Sequence, residues 1–399
     1  MNFPVGAGVL VALCALGQSA PLAHADASDC APAGRWVRLE EAGPQVVSGE
    51  RYLAELARKQ AVLLGENHES AEDHRWQLHT VSGLHALNPD LVLAFEMFPR
   101  RVQAVLDEWS AGKLSERELL ARSEWSKVWG FDPQLYMPVF HFARMHRIPM
   151  VALNIDRALV RRIGEQGWGG VPPGAREGIG DPAPPSEAYL AALHGSWLEH
   201  LPETHPARKA SGAPADLRNP EFLRFVDSMQ AWDRAMAQGI AARLQGGARL
   251  VVALIGSGHI QDGYGVPHQL RAQGVRDIAV LLPWDAQQGC DGLKPGLADA
   301  VFGTDAPAAP AGPDRPRLGV TLDQGTDGVA VREVVRGSIA ERAGVRAGDV
   351  LTQVAGRAVS EIADVVAAVQ RQAPGTWLPL TVKRGDQLVE LVARFPPAP

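Results

Sequence analysis

At 399 residues the chain is long enough for two or three domains. Its 46% hydrophobic and 21% charged content is that of a globular protein with a sizeable core. A formal net charge of -6 withholds the basic face that a general nucleic-acid binder needs. No run of eighteen apolar residues follows the N-terminus, so the mature chain is expected to lack a transmembrane helix.

The first 25 residues read as an export signal. An apolar stretch over 6–16 precedes Ala23-His24-Ala25, the small residues at which a signal peptidase cuts. Cys14 follows Leu13, where a lipoprotein signal has a small residue, so cleavage after Ala25 is expected rather than lipidation. The mature chain would begin at Asp26, in the periplasm, with attachment to the outer membrane left open. It would keep two cysteines, Cys30 and Cys290, an even count that suggests one disulfide in an oxidising compartment.

Four apolar runs then appear in order, at 61–64, 91–95, 150–153 and 250–255. They do not alternate with polar residues, as expected of strands buried on both faces. Between them lie helical patterns at 70–87, 99–109, 134–146, 156–166 and 221–244, the first opened by a capping box of Ser70 and Asp73. Strand alternating with helix predicts an α/β domain over 26–302, its mostly parallel sheet covered by helices on both faces. An excursion over 168–220, with a shorter helix near 186–200, would form a lid or one wall of a site.

Each apolar run ends in polar residues: Glu66 and His68, Glu96, Asn154 and Asp156, and His259. Ligands bind beyond the carboxyl ends of the strands in an open parallel sheet. Gly-x-x-His occurs twice, as Gly65-Glu66-Asn67-His68 and Gly256-Ser257-Gly258-His259, each glycine expected to allow a sharp turn. Imidazole and carboxylate together suit a divalent transition metal or acid/base catalysis, so Glu66, His68, Glu96 and His259 are candidate metal ligands and catalytic groups.

After Phe302, residues 303–316 carry four prolines and read as an extended linker. From 317 to 396 the texture becomes short strands and glycine turns. The stretch "SIAERAGVRAGDVL" resembles a PDZ domain, a small α+β module, through Ala340, Ala343, Gly344, Gly348, Asp349, Val350 and Leu351, with Val345 in place of the usual leucine. The resemblance implies a groove between a strand at 319–322 and a helix at 360–370. A peptide or protein C-terminus would add there as a strand, its carboxylate held around Arg317, Leu318, Gly319 and Val320.

The main domain resembles the Tiki/TraB and erythromycin-esterase superfamily, and most closely its ChaN branch of haem-binding, iron-uptake proteins. The residues that carry this are "LLGENH", "LAFEMF", "GFDPQLYMPVFHFARMHRIPMVALN", "QAWDRAMA" and "IGSGHIQDGYGVP". The resemblance implies a homodimer that holds haem, with a tyrosine on the iron and polar side chains on the propionates. Of four tyrosines, Tyr136 and Tyr264 fall in the family-like stretches, with His68, His259 or an arginine as cationic neighbours. The absence of Cys-x-x-Cys-His excludes covalent attachment. In the family-like helix, Asp233 would orient a site residue. A bare divalent transition metal in the strand-end cluster is the alternative cofactor, which would make the protein a metal-dependent hydrolase or protease. A third reading is an envelope scaffold acting through the PDZ groove.

Overall fold

A computed structural model describes residues 30–209, 215–305, 317–325, 328–373 and 375–396. The export signal with Cys14, the cleavage after Ala25, and linker residues 306–316 lie outside the described residues.

Eight strands form the first sheet: β1 (Trp36–Glu40), β2 (Gly43–Val47), β3 (Ala61–Leu64), β4 (Val92–Pro99), β5 (Met150–Asn154), β6 (Val251–Leu254), β7 (Ile278–Asp285) and β8 (Ala300–Thr304). Their order is β2-β1-β8-β7-β3-β6-β4-β5. Six strands from β8 to β5 run parallel, and β1 and β2 close one edge antiparallel. The fold is thus α/β with a mostly parallel sheet. The four apolar runs became β3, β4, β5 and β6, while β7 supplies the other flank of β3. Strands β1 and β2 are short and partly polar, and a pattern of buried runs passes over them.

The central strands are buried on both faces because alternate residues enter different cores. Val62 and Leu64 join Leu93, Phe95, Val252 and Leu254 on one face; Ala61 and Leu63 join Ala94, Ala253, Ile255 and Met236 on the other. Helices Ala71–Leu87 and Pro133–Met145 contribute to the first core, and helix Pro220–Gln245 to the second. Ser70 accepts from the Asp73 N–H at the start of the first helix. The expected reciprocal bond is redirected: the Asp73 carboxylate accepts from the Asn67 N–H at 2.8 Å, tying the loop after β3 to the helix. Cys30 and Cys290 form a disulfide that closes a sequence separation of 260 residues.

The second sheet contains β9 (Val320–Gln324), β10 (Val329–Val334), β11 (Val350–Val354), β12 (Arg357–Ala358), β13 (Trp377–Arg384) and β14 (Gln387–Arg394), all antiparallel. Its own core runs from Leu318 to Phe395. Ala340 is buried there, Gly344 ends its short helix at a φ of 86°, and the buried Asp349 holds Arg384 through two bonds of 2.7 and 2.8 Å. The motif residues therefore serve packing, a helix stop and a buried ion pair.

Candidate functional site

Chain order hides how the site is assembled. Strand β6 inserts between β3 and β4, so both Gly-x-x-His motifs leave neighbouring strands and Glu96 stands on the next. The motifs are joined directly, the Ser257 N–H donating to the Glu66 carbonyl at 3.0 Å. Neither leading glycine serves a left-handed turn; both are needed for room. A Cβ on Gly65 would lie 2.5 Å from Leu282 Cδ2, and one on Gly256 2.8 Å from His68 Cε1. At Glu96 the β4–β5 ladder is irregular, and Asn154 donates to the Glu96 carbonyl at 2.9 Å. Such irregularities re-aim side chains.

Two parallel chains of hydrogen bonds result. In one, the Tyr136 hydroxyl donates to Glu66 Oε1 at 3.0 Å, and the same oxygen accepts from His68 Nδ1 at 2.9 Å. In the other, the Tyr189 hydroxyl donates to Asp233 Oδ2 at 2.7 Å, and Asp233 Oδ1 accepts from His259 Nδ1 at 2.7 Å. His259 Nε2 faces Glu96 Oε1 at 3.6 Å, while Glu96 Oε2 accepts from the Gly256 N–H at 2.6 Å. His68 is partly exposed and lies under Trp129 and Phe131, with ring centroids 4.7 and 5.0 Å away.

Burial opposes protonation of both imidazoles, and nearby carboxylates overcome it. The bond to Glu66 and the charge of Glu96 raise His68 above the ordinary histidine value. For His259 the bond to Asp233, with Glu96 adding to it, pushes the value up to about 9. Burial and the same carboxylates push Tyr136 and Tyr189 well above the ordinary phenol range.

The sequence-predicted residues thus divide. Glu66, His68, Glu96 and His259 come together, with Asp233 as the expected orienter. Tyr136 is fully buried, and its phenol proton is held by Glu66. That geometry sets Tyr136 apart from Tyr264, because the neighbouring carboxylate disfavours its phenolate. Nor do His68 and His259 support Tyr264 as cations; each is committed to its own carboxylate. Among the described residues no three or more His, Cys, Asp or Glu side chains form a ready metal-binding group. Tyr189, Trp129 and His74 were not legible as site residues. His74 lies one helical turn beyond the first motif, with Nε2 3.2 Å from the His68 carbonyl, and its position after Ser70 was the available hint.

Tyr264 has a different setting. Tyr52, Tyr136 and Tyr189 are buried, and Tyr264 alone of the four tyrosines is not. It borders a cavity of about 360 Å³ lined by Ser186, Tyr189, Asp262, His268 and Arg271. Its ring lies 5.3 Å from that of Tyr189 between centroids, so the cavity touches the second hydrogen-bond chain. Ser186 and Tyr189 belong to the 168–220 excursion, which therefore forms one wall of this cavity.

In the second sheet, β9 is an edge strand. Helix Ile362–Gln370 packs beside it, the Ile362 N–H donating to Gln324 Oε1 at 3.3 Å. The loop before β9 has Leu318 buried and Gly319 at a φ of 82°, where a Cβ would lie 2.3 Å from Ser338 Cβ. Arg317 to Val320 thus lead into β9, beside that helix.

A family model described as haem-binding uptake, Tiki superfamily, ChaN matches residues 52–270, and a PDZ-domain model matches 331–384. The solved structure of ChaN of Campylobacter jejuni, described as cofacial haem binding, has 19% identity to this chain and a TM-score of 0.51. The match covers 67% of this chain and 96% of that one, a likeness of fold. An HtrA-type protease, AlgW with a decapeptide, matches 20% of this chain and 28% of its own at 28% identity and a TM-score of 0.19. The HtrA3 PDZ domain bound to a phage-derived ligand matches 20% of this chain and 82% of its own, at 24% identity and a TM-score of 0.18. No curated protein matches the chain.

Proposed function

The chain belongs to the ChaN family of haem-binding uptake proteins in the Tiki superfamily, with a PDZ domain after it, and on that premise we propose that it is a periplasmic haem-binding protein of iron uptake. It acts as a homodimer and presents its PDZ groove to the free C-terminus of a partner. One observation carries the haem reading: the sole tyrosine that is not buried borders a cavity that also holds an arginine. Haem supplies a ferric iron, for which a phenolate is a suitable axial ligand. Tyr264 would hold that iron, and Arg271 would face a propionate or stabilise the phenolate. Arg271 donates to the Gly263 carbonyl at 3.2 Å and has no carboxylate partner among the described residues.

The strand-end cluster supports a second reading, metal-dependent hydrolysis. Both imidazoles are anchored through Nδ1 by carboxylates, the arrangement that orients Nε2 toward a metal. The donors would have to converge further than they do, since no ready metal-binding group is present among the described residues.

Haemin titration followed by absorbance separates the two. Under the haem reading, Tyr264→Phe removes the phenolate–iron charge-transfer band and His68→Ala leaves it. Under the hydrolase reading the full chain stays colourless, His68→Ala abolishes stoichiometric divalent-metal binding, and Tyr264→Phe is silent.

A further inference from the structure

On the side of the molecule formed by the carboxyl ends of two packed helices lies a histidine pair that the strand-end chemistry does not use. His85 occupies the last turn of helix Ala71–Leu87, and His146 caps the end of helix Pro133–Met145. The two helices pack against each other. The imidazole centroids are 4.5 Å apart at an interplanar angle of 52°. Phe142 backs both rings, with centroids 5.5 Å from His85 and 4.5 Å from His146. Neither ring has a hydrogen-bond partner among the described residues, and His146 is exposed to solvent.

Two features make this pair a cation site rather than a ring contact alone. Each helix end carries roughly half a negative charge, so two carboxyl ends meeting at one place favour a cation there. The arginines that flank His146 are turned to other elements: Arg144 lies over the Trp109 ring at 4.7 Å, and Arg147 donates to the Ser110 carbonyl at 3.1 Å. Neutral imidazoles suit late first-row metals, and copper(II) heads their order of affinity.

We propose that His85 and His146 together bind one late first-row divalent metal ion, with solvent completing its coordination. The site is separate from the Tyr264 cavity and from the Glu66–His68–Glu96–His259 cluster. It would take up metal at the surface, where an exchangeable ion can enter and leave.

Equilibrium dialysis of the full chain against Cu²⁺ tests it. His85→Ala and His146→Ala should each bind one ion fewer than the parent, and the double variant should lose no more than either single. The lost ion should weaken by more than the roughly 10–100-fold that removing an outer-sphere partner costs. Equal stoichiometry in all proteins overturns the proposal, as does a loss in only one single variant or additive losses in the double. In the unsubstituted protein, Cu²⁺ should broaden the ring resonances of His85 and His146 together at substoichiometric addition; broadening of one without the other also overturns it.

Discussion

The two Gly-x-x-His motifs share a spacing and a place at neighbouring strand ends, yet their histidines are supported in opposite ways. His68 is oriented by Glu66, two residues away on the same loop, and stays partly exposed beneath Trp129 and Phe131. His259 is oriented by Asp233, 26 residues away on helix Pro220–Gln245, and is buried. A local partner leaves a histidine that can move with its loop. A distant partner locks the histidine to the packing of a helix against the sheet, and makes its protonation part of the stability of the domain.

That difference should be largest when the anchors are cut. Asp233→Ala leaves a buried imidazolium and the Tyr189 hydroxyl without their carboxylate, a loss expected at about 3–5 kcal/mol. Chemical denaturation measures it, and a loss no larger than that of an average surface change would mean that His259 is not charged in the folded protein.

Next comes pH. The His259 value is raised in the folded state, so its stabilisation is complete below the unfolded value near 6.5 and is lost as pH rises through about 9. The fall should be on the order of 3 kcal/mol between pH 6 and 9.5. Denaturation midpoints at several pH values show it, and Asp233→Ala should flatten the same curve. An unchanged slope in that variant would assign the pH dependence to other groups.

The first motif should respond more gently. Tyr136→Phe removes one donor from Glu66, which keeps His68, and should cost about 1 kcal/mol. His68→Ala, at a partly exposed ring, should cost roughly 0.5 kcal/mol. Thermal unfolding of both variants ranks them against Asp233→Ala; if His68→Ala proves as damaging as Asp233→Ala, the contrast between local and distant support fails.

Much of the domain was legible because burial on both faces leaves unbroken apolar runs. Those at 61–64, 91–95, 150–153 and 250–255 became the parallel strands β3 to β6, and their polar ends named Glu66, His68, Glu96 and His259. The PDZ segment was legible for another reason. Its glycines and small residues meet steric demands, as Gly344 does at a positive φ and Ala340 does in the core. What no linear pattern contains is the strand order. The insertion of β6 between β3 and β4 brings the two motifs against each other, and only that placement turns their glycines from hinges into spaces for His68 and Leu282. The tyrosines show the same limit. Tyr136 and Tyr264 looked equivalent in sequence, but the fold buried one against a carboxylate and left the other beside a cavity. Residue type and spacing determined which chemistry could reach the strand ends. Burial and proximity, set by long-range packing that no local pattern encodes, decided which proton each group keeps.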